Sequence, residues 1–133
     1  MSFLVSLSAL SRGLFWLALL VISYAAWAPA PELVISTGWD KSNHLLAFFT
    51  LIALSEFGWP VSVSLTRKLL GLVGYGFLIE VVQSFIPNRE VSLLDVVADC
   101  CGLGIYLCLR PWWLQLRLKL ERLSIFRSET LPQ

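Results

Sequence analysis

The sequence predicts an all-α membrane protein: four transmembrane helices followed by a C-terminal amphipathic interfacial helix. Three observations point that way. Of 133 residues, 57% are hydrophobic and 14% charged, with a mean hydropathy of +0.76, whereas a soluble domain carries roughly 25% charged residues. Four apolar stretches are each closed by proline or a cation, and Lys and Arg gather in alternate connections. The net charge of +1 leaves no broad basic field to attract nucleic acid, so no nucleic-acid partner is expected.

A span needs about 20 mostly apolar residues to cross a hydrocarbon core of roughly 30 Å. The first, 13–29, follows Arg12, carries no charge and stops at Pro29 and Pro31. Small residues near its end resemble a signal-peptide cleavage site, but three further hydrophobic segments follow, so it reads as a retained helix. The second, 43–59, ends at Pro60; the third, 69–86, at Pro87; the fourth, 91–109, at Arg110 and Pro111. Residues 1–110 thus form one four-helix domain. Residues 111–133 form an interfacial helix and tail, in which Trp113, Leu116, Leu120 and Leu123 share a face and the basic residues turn toward anionic lipid.

Orientation follows from the cations. Arg12, Arg67, Lys68, Arg110, Arg117, Lys119, Arg122 and Arg127 fall on one side, and Lys41 and Arg89 on the other. The positive-inside rule then makes both termini cytoplasmic in a multi-pass topology. Cys100, Cys101 and Cys108 lie in one apolar stretch without metal-ligand spacing and read as small packed thiols.

The informative residues are those that are expensive in a bilayer. Glu56 interrupts the second span, Glu80 the third, and Asp95 and Asp99 the fourth. Each needs a partner, a proton or a wet cavity, because an ionised group at mid-bilayer costs about 3 kcal/mol on insertion scales. At 1.5 Å per residue, Glu80 sits about 9 Å inside the outer end of its helix. Ser92, Asp95 and Asp99 share a face at spacings of three and four, and Asp40 and His44 share the first turn of the second span. Asp40, Lys41, His44, Glu80, Gln83, Arg89, Ser92, Asp95 and Asp99 therefore converge on one outward-facing pocket. Glu56 lies near the inner end and snorkels toward Arg67 or Lys68. A purely structural reading takes the outer groups as caps, interface anchors and ion pairs between helices.

These positions also make the chain resemble the VanZ-like family of small bacterial membrane proteins. The resemblance rests on Asp40-Lys41-Ser42-Asn43-His44, on Gly76-Phe77-Leu78-Ile79-Glu80-Val81-Val82-Gln83, and on the run from Pro87 through Arg89, Ser92, Asp95, Ala98 and Asp99 to Gly102. Phe48 stands where that family has Tyr, and Asp99 where it has Asn. The resemblance implies a bacterial inner-membrane protein of the cell envelope, associated with resistance to a glycopeptide antibiotic.

The leading functional expectation is a site that binds or modifies an envelope lipid or cell-wall precursor. Lys41 and Arg89 would hold an anionic headgroup, with Asp40, Gln83, Ser92 and Asp99 lining the site, and the catalytic set would be His44, Glu80 and Asp95. Ser84 and Ser92 are nucleophiles by proximity alone. A divalent metal on His44, Glu80, Asp95 and Asp99 is a second hypothesis, weakened by the single histidine. A non-catalytic adaptor bound to a larger envelope complex, or a homo-oligomer, is a third. Proton-coupled transport is a weaker fourth.

Overall fold

The computed structural model describes residues 2–28, 40–59, 63–87 and 91–130. They form four α-helices: α1 Ser2–Trp27, α2 Asp40–Gly58, α3 Leu65–Gln83 and α4 Leu93–Thr130. Side-chain contacts at both ends show that neighbours in sequence run antiparallel. Glu56 near the end of α2 meets Lys68 in the first turns of α3, and Glu80 near the end of α3 meets Ser92 just before α4. Gln83 of α3 meets Ala26 of α1, so these two helices finish at the same end.

Each helix buries a stripe at helical spacing. On α2 it is Phe48, Leu51, Ile52 and Ser55; on α3, Leu72, Gly76, Ile79, Glu80 and Gln83; on α4, Asp95, Asp99, Leu103 and Tyr106. Phe48, Leu51, Ile52, Leu72, Ile79, Leu103 and Tyr106 make the apolar core. Toward the His44 end the same stripes turn polar, so the packing that builds the core also points Glu80, Asp95 and Asp99 inward.

Gly102 sets the α2–α4 separation. A methyl group there would run into the backbone carbonyl of Leu45. One turn before Gly102 on α4, and one residue before Leu45 on α2, the two helices are therefore close enough for His44 to reach Asp99. On the α1 side, Tyr75 shares a 2.8 Å hydrogen bond with Ser23 and donates to the Leu19 carbonyl at 3.2 Å. Ser64 caps α3, its side chain accepting from the Arg67 N–H.

Three expectations from the sequence need correction. First, among the described helices only α1, over Ser6–Trp27, is by itself long and apolar enough to cross a membrane. Four transmembrane helices do not follow from helix length and composition, because Lys41 and Glu56, then Arg67, Lys68 and Glu80, then Asp95 and Asp99, fall within α2, α3 and α4. What stands is an all-helical chain of four helices.

Second, α1 begins at Ser2, so Arg12 lies inside a helix instead of bounding one. Its side-chain Nε donates to the Ser8 carbonyl one turn back, at 3.4 Å.

Third, no separate interfacial helix starts at 111: α4 continues through Pro111 to Thr130 as 38 residues, about 57 Å at 1.5 Å per residue. Pro111 removes one backbone donor and crowds the carbonyl four residues back. The Leu, Gln, Arg, Lys and Glu that follow are strong helix formers and carry the helix on. Trp113 packs edge-on against Phe57 at 6.2 Å, while Trp112, Leu116 and Leu123 remain exposed. The side chain of Leu120 lies outside the described residues, so the apolar face expected there is traced only at its other positions.

Candidate functional site

The polar cluster is built by three helix ends meeting at one level: the first turns of α2, the last turns of α3 and the first turns of α4. His44 stands between the two aspartates of α4. Its Nδ1 donates to Asp99 Oδ1 at 2.9 Å, and its Nε2 lies 3.9 Å from Asp95 Oδ2. The spacing of four on α4 places one carboxylate on each side of the ring. A carboxylate on Nδ1 fixes the ring orientation and directs Nε2 toward Asp95. Asp95 sits in the first turn of α4, where the positive end of the helix dipole favours an anion.

Glu80 approaches from α3. Its Oε2 accepts the backbone N–H of Ser92 at 2.9 Å, and this tie across the 84–92 connection holds the end of α3 against the start of α4. One donor atom from each of His44, Glu80 and Asp95 lies within 4.8 Å of the others. Lys41, one-third exposed, pairs with Asp95 Oδ1 at 3.5 Å.

The remaining sequence-predicted residues divide. Gln83 is buried, and its amide Nε2 donates to the Ala26 carbonyl at 3.1 Å, tying α3 to α1. Ser92 takes part through its backbone. The Ser84 hydroxyl donates to the Val81 carbonyl of its own helix at 2.6 Å, which makes it a poor nucleophile. Asp40 begins α2, but its side chain and the whole of Arg89 lie outside the described residues.

Satisfaction is uneven. Glu80, Asp95 and Asp99 are 5%, 3% and 1% exposed, and each keeps one oxygen without a hydrogen-bond partner: Glu80 Oε1, Asp95 Oδ1 and Asp99 Oδ2. Buried polar atoms are nearly always paired, so three orphaned carboxylate oxygens in one cluster call for an explanation. Among the described side chains, three carboxylates face one lysine and one histidine.

Glu56, at the opposite end, behaves differently. It accepts from Lys68 at 2.9 Å and from Arg110 at 2.7 Å, one cation on each oxygen. Of the two partners expected from the sequence, Arg67 and Lys68, it is Lys68 that pairs, and Arg110 is a partner the sequence does not announce. Arg110 bounds a span by sequence, yet α4 brings it to the level of Glu56 on α2.

Comparison with known proteins gives one informative match. The chain is 33% identical over 118 residues to an uncharacterized protein of Schizosaccharomyces pombe, covering 84% of this chain and 69% of the yeast protein. The chain belongs to the family of that yeast protein. No family profile matches the chain, and no solved structure does.

These findings overturn the resemblance to the bacterial VanZ-like family, and with it the expectations of antibiotic resistance and a bacterial envelope: the relative is eukaryotic and no such profile matches. The physical reason is that the quoted motifs are polar residues spaced by three and four. That spacing marks any helix face that gathers polar groups, whatever its ancestry.

Proposed function

We propose that this is an integral membrane protein whose four helices cross the bilayer together, and that the His44–Glu80–Asp95 cluster binds the polar headgroup of a membrane lipid and moves a proton there. The carrying observation is an inside-out distribution of side chains. Glu80, Asp95 and Asp99 are buried, while Leu20, Leu70, Phe77, Leu78, Val81, Leu94 and Val97 are exposed on α1, α3 and α4. An apolar exterior of this extent suits lipid tails, and acids turned inward are the arrangement a bilayer requires. Helices too polar to cross singly can cross as a bundle in which each acid faces its partners.

In this reading both termini lie on the cytoplasmic side, since Arg67, Lys68 and Arg110 sit at the Glu56 end. The cluster then opens toward the opposite leaflet. Lys41, the partly exposed cation, meets the phosphate or carboxylate of the headgroup. His44, held by Asp99, is the group suited to proton transfer near neutral pH, with Asp95 and Glu80 beside it.

The test is mass spectrometry of lipids that copurify with the protein in native membrane discs, comparing wild type with Glu80→Gln and His44→Gln. The expected result is one lipid class enriched over the bulk membrane in wild type and lost, or chemically altered, in both variants. Identical bulk lipid in all three would overturn the reading and favour a structural adaptor for a larger membrane complex.

A further inference from the structure

The surplus of buried carboxylate oxygens points beyond a headgroup site. We propose that His44 Nε2, Glu80 and Asp95 form a binding site for a divalent transition-metal ion of the zinc or manganese class, with Asp99 positioning His44 and Lys41 occupying the ion's charge position until it binds. The inference stands without the lipid reading, because it concerns what these side chains hold and not what substrate approaches them.

Four observations carry it. A donor atom from each of the three residues lies within 4.8 Å of the others. Donors at about 2.1 Å from one ion stand about 3.0–3.4 Å apart at octahedral or tetrahedral angles. The 3.9 Å between His44 Nε2 and Asp95 Oδ2 needs a closure of about half an ångström to reach that range, and the outermost pair, within 4.8 Å, needs at most about 1.4 Å.

The second observation is independent of the cluster's geometry. Glu80 Oε1 and Asp95 Oδ1 belong to side chains at least nine-tenths buried and lack hydrogen-bond partners. A cation supplies the partner that Glu80 Oε1 lacks, and takes over from the long 3.5 Å contact with Lys41 that Asp95 Oδ1 has.

The third is the hydrogen bond on the far side of the ring. Metal-binding histidines usually give their other N–H to a carboxylate, which fixes the tautomer and strengthens the donor nitrogen. Asp99 Oδ1, 2.9 Å from His44 Nδ1, takes that place. Asp99 is thus a positioning residue for His44 and not a fourth ligand on the same nitrogen.

The fourth is charge. Among the described side chains, three carboxylates against one lysine leave an excess of two negative charges with His44 neutral, and of three once Lys41 moves aside, so a divalent ion offsets most of it. Lys41 is one-third exposed and 3.5 Å from Asp95, so it can swing to solvent when the ion arrives. One imidazole and two carboxylates suit a hard or borderline ion better than a soft one. Three protein ligands leave a coordination position for water or substrate.

The test uses the full-length protein, purified in detergent, stripped with chelator and titrated with Zn2+ and, separately, with Co2+ as a spectroscopic probe. Wild type should bind one equivalent saturably, with Co2+ visible bands displaced by Zn2+ and no thiolate charge-transfer absorption. Glu80→Gln and Asp95→Asn should abolish the site, and Asp99→Asn should weaken it by about 10–100-fold, the usual effect of removing such a support. Glu56→Gln, at the other end, should retain it. The absence of a saturable site in wild type would overturn the proposal, whatever the folding of the variants. So would undiminished binding in Glu80→Gln and Asp95→Asn, or a thiolate band placing the metal on Cys100, Cys101 or Cys108.

Discussion

Among the described side chains, one carboxylate meets two cations at the Glu56 end of the bundle, and three carboxylates meet one lysine and one histidine at the His44 end. Both clusters join α2, α3 and α4, and both are largely buried, so location does not separate them. Completeness does. Each Glu56 oxygen has a donor within 2.9 Å, whereas Glu80, Asp95 and Asp99 each keep an orphaned oxygen. A satisfied buried ion pair is at best neutral for stability, yet breaking one is costly because it strands a charge. An unsatisfied cluster costs stability as it stands and persists where it serves something else. The comparison marks the Glu56 cluster as a brace that holds three helices together, and the His44 cluster as the one to which the proposed binding belongs.

The largest expected effect tests the brace. Lys68→Met keeps the aliphatic stem and removes the charge from a lysine whose side chain is 5% exposed. It should destabilise the bundle by about 3 kcal/mol, at the lower end for a broken buried pair because Arg110 remains. Lys41→Met should cost under about 1 kcal/mol, since its pair with Asp95 is longer and solvent-screened. Unfolding of the two variants in the same detergent measures both. Equal losses would end the distinction between a structural and a functional cluster.

A smaller effect, of opposite sign, separates two glutamates of similar depth. Glu80→Gln removes one charge from a surplus and keeps an acceptor for the Ser92 N–H, so stability should rise by about 1 kcal/mol. Glu56→Gln leaves Lys68 and Arg110 facing each other without an anion, so stability should fall. Parallel measurement of the two midpoints gives the answer in one experiment. A fall in both would show that Glu80 is as well compensated as Glu56.

Much of this contrast was legible in the sequence, for a physical reason. A helix repeats every 3.6 residues and rises 1.5 Å per residue, so a position encodes both face and depth. Those two coordinates suffice to bring His44, Glu80, Asp95 and Asp99 to one level. What they do not encode is partnership across helices. That Nδ1 of His44 takes Asp99 while Nε2 faces Asp95 depends on how closely α2 and α4 approach, which Gly102 decides. Gln83 is a site residue by depth, but its amide nitrogen donates to the Ala26 carbonyl of α1, and only its buried Oε1 is left without a hydrogen-bond partner. Arg110 was missed and α4 cut short because proline was read as an end, although a run of helix formers can carry a helix past it. The family could not be read from these residues at all, since spacing records a helix face and not descent.

A further gain, no larger than that of Glu80→Gln, concerns Phe48, the fully buried ring beneath the cluster. Asp99 Oδ2 and Phe48 Cζ both press on the same spot above Gly76: a methyl group built there would be 2.5 Å from the oxygen and 3.3 Å from the carbon. That oxygen is the one Asp99 leaves unpaired, and a tyrosine hydroxyl would project from that ring carbon. Phe48→Tyr should therefore gain about 1 kcal/mol, the net worth of one buried hydrogen bond, without changing the helical content. It should also quiet the binding cluster, because Asp99 would gain a second donor while keeping His44, and the excess of bare oxygen would fall by one. A stability gain with unchanged metal affinity would confine Asp99 to positioning His44. A loss of stability would mean that the hydroxyl is crowded against Gly76, and that the third orphaned oxygen is held open by packing.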